Sequence, residues 1–415
     1  MHNIELLNYI ISIIFAICYS YQFLYIAVPF FRKFKKTDDT IEQHRFAALI
    51  CARNEEIVIG NLIESIKRQS YPAELIRIFV VADNCTDRTA EIAKNMGAVV
   101  YERYDKKKVG KGYALKFLLE SIEKDGYNEN VDAYLVFDAD NLVDAEFVCE
   151  MNKALAGGAN VATCYRNTKN FGDNWISAGY ALWFIRESKY LNGPRNLLGS
   201  SAAVSGTGFM FTKKIIEKYG GWNFFTLTED IEFTIKNVTS GEKIAYCPTA
   251  VVYDEQPTKF SQSWRQRMRW SRGYLQVFGK YGKALIKGMF GGSFACFDMS
   301  MTIMPAFTLS IVGQILNIIV IIVGVLMGGD IVVALNSLLQ LAVNSYLVAF
   351  IVGLITTITE WKKINTSNVK KILYTFTFPF FMFTYVPISL AALFGKVTWK
   401  PIEHKCAKSI DEISA

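Results

Sequence analysis

Asp138 and Asp140 stand two residues apart at the end of an apolar run, AYLVFD, and that spacing implies a chemistry. Two carboxylates where a strand leaves its sheet can hold a hard, oxygen-seeking cation, Mg2+ or Mn2+, together with the diphosphate or ribose of a nucleotide. Asp is common in turns, so the pair carries weight only in company. Arg53-Asn54-Glu55 follows the apolar run FAALIC, and Asp83 closes RIFVVAD. Thr228-Glu229-Asp230 opens an amphipathic stretch, and Gln266, Arg269 and Trp270 lie within FSQSWRQRMRWSRGYLQVF.

These residues must be positioned by something, and the chain alternates the two patterns needed. Residues 46–51, 77–83, 98–101 and 133–138 are short apolar runs bounded by polar residues, which suits buried parallel strands. Between them, 55–69, 87–96 and 112–124 carry apolar residues at helical spacing. Strand–helix alternation with short connections implies an open, mostly parallel α/β sheet, whose ligand sits beyond the carboxyl ends of the strands. Arg53-Asn54-Glu55, Asp83-Asn84 and Asp138/Asp140 are the polar residues at those ends. Ser205-Gly206-Thr207-Gly208, ahead of the apolar residues 209–211, joins them from the second half.

Residues 260–278 read as a helix. At about 100° per residue, Trp264, Met268, Ser271, Leu275 and Phe278 share one stripe, while Gln266, Arg269 and Trp270 fall on the opposite side. Such a helix, rich in Arg and Trp and close to an apolar span, is expected to lie flat in a headgroup region with its other face toward the soluble domain. Thr228-Glu229-Asp230 taken alone reads as a helix start, with Glu229 and Glu232 as like-charged neighbours of Asp230.

Composition separates two environments. Hydrophobic residues make up 51% of the 415 and aromatic ones 14%, too apolar for one ordinary soluble domain. Residues 6–31, 299–329, 331–359 and 372–395 carry no Asp, Glu, Lys or Arg, and each exceeds the roughly 20 residues that cross a bilayer as a helix. The net charge of +7 does not point to nucleic acid. Arg32, Lys33, Lys35 and Lys36 follow the first span, and Lys362, Lys363, Lys370 and Lys371 separate the last two, as cytoplasmic flanks do. The first span lacks a basic n-region and is expected to be an anchor rather than a cleaved signal.

Other chemistries lose ground. No G-x-G-x-x-G follows the first strand and no G-x-x-x-x-G-K-[ST] occurs, which argues against dinucleotide and ATP sites. The run from Lys106 to Gly112, KKKVGKG, is expected to be a solvated loop. Eight scattered cysteines with no C-x-x-C pair fit a reduced compartment rather than a metal site.

The ordered set Ala52-Arg53-Asn54-Glu55, Asp83, Asp138-x-Asp140, Thr228-Glu229-Asp230 and Gln266-x-x-Arg269-Trp270 resembles the membrane-bound family 2 glycosyltransferases. These are the cellulose, chitin, hyaluronan and poly-N-acetylglucosamine synthases, with ceramide glucosyltransferase as a non-processive relative. The resemblance covers residues 46–275. It implies an α/β GT-A fold, a Rossmann-like, mostly parallel sheet embedded between transmembrane helices, using a UDP-sugar and Mg2+ or Mn2+. Carried over by position, it implies that Arg53, Glu55 and Asp83 contact uracil and ribose, with Asn54 among the substrate-binding residues. Asp138 and Asp140 would hold diphosphate and metal, and Asp230 would be the catalytic base with Glu229 beside it. Gln266, Arg269 and Trp270 would line the acceptor and diphosphate site.

The expected organisation is a transmembrane helix at 1–31, a cytoplasmic GT-A domain at 32–259, interfacial helices at 260–290, a transmembrane region at 291–395 and a cytoplasmic tail at 396–415. Pro379 and Pro387 are expected to break the last span. Val397-Thr398-Trp399-Lys400 resembles the gating segments of the synthases. The resemblance implies a multi-pass plasma-membrane enzyme extending a β-linked polysaccharide, with export through a homo-oligomer or a partner. The alternative is a non-processive enzyme that glycosylates a membrane lipid.

Overall fold

The computed structural model describes residues 2–34, 41–303, 315, 318–328, 331–395, 397, 404 and 406–414. A long apolar helix, α1 (His2–Phe31), precedes the sheet. β1 (Phe46–Ala52), β2 (Ile76–Asp83), β3 (Val99–Arg103) and β4 (Ala133–Asp138) then form a parallel half in the order β3-β2-β1-β4. They read as near-continuous apolar runs because both faces are covered. Phe46, Ala48 and Ile50 of β1 bury against Leu62, Ile63 and Ile66 of α2 (Ile59–Lys67), whereas Ala47 and Leu49 bury against Leu115, Leu118 and Ile122 on the opposite face. Those last three belong to α4 (Lys111–Lys124), which follows α3 (Thr89–Asn95).

Beyond β4 the sheet becomes mixed. β5 (Leu142–Val143), β6 (Val161–Thr168), β7 (Phe209–Thr212) and β8 (Ile244–Asp254) complete the order β4-β7-β6-β8-β5. β7 is antiparallel to both neighbours, β6 and β8 are parallel with an irregularity between Cys164 and Tyr165, and β5 is antiparallel to β8. The sheet is mostly parallel, as expected, with the antiparallel pairs confined to β7 and β5. The remaining helices are α5 (Phe147–Ala156), α6 (Trp175–Glu187), α7 (Gly193–Leu197), α8 (Lys213–Tyr219), α9 (Glu229–Thr239), α10 (Phe260–Phe290), α11 (Phe294–Ile303), α12 (Ile331–Thr359), α13 (Asn368–Phe383), α14 (Tyr385–Phe394) and α15 (Ile410–Ser414).

Several boundaries differ from the sequence expectation for local reasons. The helix expected from residue 55 begins at Ile59, after a turn in which Asn54 is left-handed at φ 58°. The helix expected from 87 begins at Thr89, because the Asp87 carboxylate first accepts the Thr89 N–H at 3.1 Å and its hydroxyl at 2.6 Å. The third strand runs on to Arg103. In α10, Ser271 is buried at 3% exposure, whereas Trp264, Met268, Leu275 and Phe278 of the same stripe are half-buried rather than open.

Among the described residues, two helical segments, Ala342–Thr359 and Asn368–Phe394, are long and apolar enough to cross a membrane. The second is interrupted at Thr384, between α13 and α14. Pro379 sits inside α13, so it is Pro387, with no N–H to offer Phe383 and a ring that crowds its carbonyl, that accounts for the break. Residues 304–314, 316–317 and 329 of the expected span 299–329 lie outside the described residues, as do Lys35, Lys36, Thr398, Trp399 and Lys400.

Candidate active site

The carboxyl ends of β1, β2 and β4 open into a cavity of about 510 Å3, walled on its far side by residues of α6, α10 and α14. Register decides which residues meet there. Cys51 pairs with Asp138 and Ala52 with Ala82, so Arg53 and Asp83 leave the sheet at one level and Asp138 two residues short of it, all at the same end.

The two aspartates of the pair face different partners. The Asp138 N–H is shared between Asn141 Oδ1 and Thr207 Oγ1, both at 3.0 Å, and its carboxylate receives Lys111 Nζ at 2.5 Å. Lys111 also donates to the Gly206 carbonyl at 2.8 Å. Asp140 turns away from Lys111. Its Oδ2 accepts the Glu255 N–H at 2.9 Å and lies 4.0 Å from Nε2 of His404. Burial works against charge on Asp140, but His404 and Lys169 outweigh it and hold the carboxyl below its ordinary value.

At the end of β2, Asp83 receives Arg103 at 2.5 Å and Asn84 at 3.0 Å. Arg53 and Glu55 line the cavity. Asn54 instead braces the loop, its Oδ1 accepting the Thr86 N–H at 2.8 Å. Both oxygens of Glu55 lie 3.0 Å from His404 Nδ1. Burial opposes protonation of His404, yet Asp140 and Glu55 push its imidazole up to about 10.

Asp230, second residue of α9, accepts the Gly206 N–H on Oδ2 at 2.7 Å and lines the cavity between the aspartate pair and α10. Glu229 lines it too. Burial pushes the Glu229 carboxyl up to about 7, with like charge from Asp230 adding and Lys111 and Arg269 opposing. Glu232 is spent elsewhere, accepting the backbone N–H groups of Phe225 and Thr226 at 2.8 and 2.9 Å and Lys280 at 2.5 Å. From α10, Arg269 donates to the Leu227 carbonyl at 2.6 Å. Trp270 stands edge-on to the rings of Tyr180 and Phe184, 5.7 and 5.9 Å away. Gln266 Oε1 is buried with no hydrogen-bond partner among the described residues, so it is an acceptor left for a ligand donor.

Sequence reasoning missed four charged groups in this cavity. The sequence pattern groups Lys111 with its neighbours in a solvated loop. That description suits the exposed Lys106, Lys107 and Lys108, but Lys111 is the first residue of α4 and reaches Asp138. Arg166 lies 3.5 Å over the Phe184 ring, donating to Asp254 Oδ2 at 2.6 Å and the Ser205 carbonyl at 3.0 Å. Glu187 accepts the Ser205 hydroxyl at 3.1 Å, and burial raises its carboxyl. Nothing in local pattern marks Arg166 or Glu187. His404 had one signal: it is one of only three histidines in the chain, in a short tail otherwise lacking titratable groups near neutrality.

The description "Glycosyltransferase like family 2" matches residues 44–273, more than half of the chain. The chain belongs to this family. It is 30% identical over 266 residues to the probable glycosyltransferase YdaM of Bacillus subtilis, a match covering 58% of this chain and 57% of that relative. A β-monoglucosyldiacylglycerol synthase of Nostoc is 27% identical over 259 residues, covering 59% and 52%. A poly-β-1,6-N-acetyl-D-glucosamine synthase of Staphylococcus epidermidis is 24% identical over 268 residues, covering 62% and 61%. The chain thus spans between half and two thirds of the length of these curated relatives. Among solved structures, a Pyrobaculum calidifontis mannosyltransferase in complex with GDP-Man and Mn2+ has a TM-score of 0.58 at 14% identity, over 94% of this chain and 99% of that one. The shared fold is the Rossmann-like GT-A sheet. The glycosyltransferase-like match contains Arg53, Asp83, Asp138, Asp140, Asp230, Gln266, Arg269 and Trp270, and ends well before His404.

Proposed function

We propose that the chain is a membrane-bound inverting hexosyltransferase, moving a sugar from a UDP-sugar to the free end of a β-linked glycan presented at the membrane face. The observation that carries this reading is the placement of Asp230. Its carboxylate, fixed by the Gly206 N–H, opens on the same cavity as Asp138 and Asp140 and as Gln266, Arg269 and Trp270. Arg53 and Asp83 take the nucleotide, and Trp270 offers an apolar ring for the acceptor sugar. The acceptor oxygen attacks the anomeric carbon while the bond to the β-phosphate oxygen breaks. The hydroxyl proton passes to Asp230, the bonding electrons leave with UDP, and one displacement turns an α-linked donor into a β-glycoside. Lys111 and Arg269 place positive charge where the diphosphate departs.

The donor set suits a divalent cation, because Asp138 and Asp140 supply hard oxygens on the diphosphate side of the cavity. Bound there, Mg2+ or Mn2+ would stabilise the negative charge on the leaving diphosphate. The enzyme would sit in the plasma membrane through α12 and the α13–α14 segment, its catalytic domain cytoplasmic, with export left to a second copy or a partner.

One observation favours a second acceptor. Trp183, Met382, Tyr385 and Val386 make the membrane-helix end of the cavity apolar, which suits a lipid hydroxyl entering sideways. Full-length protein in detergent, given Mn2+ and single UDP-sugars with and without diacylglycerol, separates the readings by UDP release and product size. A long product supports the glycan, a lipid-linked sugar the glycolipid. Asp230→Asn should lower UDP release about 10²- to 10⁴-fold in either case. Wild-type turnover in that variant would remove Asp230 as the base.

A further inference from the structure

We propose that a second, basic cavity at the end of α1 binds the phosphate of an anionic phospholipid headgroup, which seats the sugar-transfer domain on the lipid surface. The inference rests on the membrane reading above and not on the donor site. The cavity measures about 220 Å3 and is lined by Arg32, Lys33, Lys189 and Lys363, with Tyr165 and Tyr246 beside them. Among the described residues no carboxylate lines it. It is smaller than the roughly 300–1,000 Å3 of a site for a whole small molecule, which suits a headgroup and not a sugar nucleotide.

The cations converge from distant parts of the chain. Arg32 and Lys33 follow α1, Lys363 follows α12, and Lys189 lies between α6 and α7. Basic residues beside an apolar span are common on a cytoplasmic flank, which accounts for Arg32, Lys33 and Lys363 one by one. It does not account for Lys189, which flanks no apolar span, nor for all of them lining one cavity. Glu360, itself buried, organises two of them. It accepts Lys189 at 3.0 Å, Lys363 at 3.1 Å and the Tyr165 hydroxyl at 2.8 Å, and Lys363 Nζ lies 3.9 Å over the Tyr165 ring. An ammonium has three N–H donors, so each lysine keeps donors for a second anion. On the opposite wall Arg32 gives one N–H to the Leu197 carbonyl at 3.2 Å, and Phe34 packs edge-on against Tyr246 at 5.9 Å, which holds the chain after α1 on the domain. Guanidinium and ammonium groups gathered in this way match the oxygens of a phosphate.

Position decides between a lipid phosphate and a free one. The uncharged spans 6–31 and 331–359 both stop at this cavity, at the level where headgroups meet water. Phe31, just before Arg32, is 86% exposed, and Ile358, two residues before Glu360, is 61% exposed, so apolar surface for an acyl chain borders the basic residues. A basic pocket between apolar helices on a cytoplasmic face is a recurring headgroup site. β6 joins this cavity to the candidate active site, because Tyr165 and Asn167, which donates to the Lys363 carbonyl at 2.9 Å, stand on either side of Arg166.

Delipidated full-length protein in non-ionic detergent is titrated with phosphatidylglycerol, phosphatidylcholine, glycerol 3-phosphate or inorganic phosphate. Bound lipid is counted by native mass spectrometry, and Tm is followed in parallel. Wild type should retain one phosphatidylglycerol per chain in preference to phosphatidylcholine, with a rise in Tm. Lys189→Gln and Lys363→Gln should each weaken that binding about 5-fold. Arg32→Gln combined with Lys33→Gln leaves the Glu360 contacts in place, so weaker lipid binding at the lipid-free Tm of wild type separates a ligand defect from a folding defect. Lys283→Gln with Lys287→Gln removes equal charge from exposed positions of α10 and should bind lipid as wild type does. Phosphatidylcholine held as tightly as phosphatidylglycerol, or equal weakening in the α10 variant, overturns the inference, since either result means diffuse attraction without a site. Glycerol 3-phosphate or inorganic phosphate that raises Tm as much as the lipid overturns the lipid assignment in favour of a soluble phosphate. Full-length protein that stays monodisperse without detergent overturns the membrane reading, and this inference with it.

Discussion

A carboxyl that titrates near neutrality makes its protein sensitive to pH in a predictable direction, and Glu229 is such a group. Its pKa in the fold, about 7, lies above the ordinary glutamate value because burial and Asp230 both disfavour charge. Between about 4.5 and 7 the folded chain therefore holds more protons at this site than the unfolded chain, and the linkage slope is negative. Stability from this group is present at low pH and is lost as pH rises through that window, by an amount on the order of 3 kcal/mol. Tm measured from pH 5 to pH 8 should fall further in wild type than in Glu229→Gln. Parallel curves would show that Glu229 is not the titrating group. The sequence exposed the carboxylates of this region but not their division of labour. Glu229 and Glu232 both stood beside Asp230 in the chain, and only the backbone N–H groups of Phe225 and Thr226 decide that Glu232 is spent away from it.

At the scale of elements, the strands β1, β2 and β4 were legible because each is an apolar run buried on both faces, and their carboxyl ends carried Arg53, Asp83 and Asp138 as the parallel topology requires. The second half was less legible: β6 and β8 pair through an irregular register, and β7 runs antiparallel, features fixed by long-range packing. The loop at residues 205–208 shows why that half matters, since Gly206 holds Asp230 and Thr207 holds Asp138. Gly208 has φ 64°, and a Cβ there would lie 2.3 Å from Cys164 Sγ and 2.9 Å from Val252 Cγ1. Gly208→Ala should therefore cost about 1–3 kcal/mol through strain and overpacking. It should also lower kcat more than it raises KM for donor, because Gly206 of the shifted loop holds the Asp230 carboxylate proposed as the base. Wild-type Tm and kcat together would mean that the loop accommodates the methyl group.

The catalytic half and the apolar helices behave as one object because a buried ion pair joins them. Arg195 of α7 and Asp298 of α11, 0% exposed, meet through two contacts at 2.8 Å. Tyr21 and Tyr25 of α1 donate to the same carboxylate at 2.8 and 2.9 Å. The sequence could not announce this, since Asp298 merely precedes an uncharged span and its partner is 103 residues away. Taking either charge out alone strands the other in a buried site, which costs about 3–5 kcal/mol, whereas replacing both by apolar groups of similar volume can be nearly neutral. Asp298→Asn should accordingly lower Tm sharply, and Arg195→Met combined with Asp298→Leu should recover most of the loss. The consequence reaches the active site, because α7 continues from the α6 segment that supplies Trp183, Phe184 and Glu187 to the cavity wall. Asp298→Asn should then weaken acceptor use more than UDP binding, and equal loss of both would place the effect in global unfolding rather than in the wall between the proposed donor site and the apolar helices.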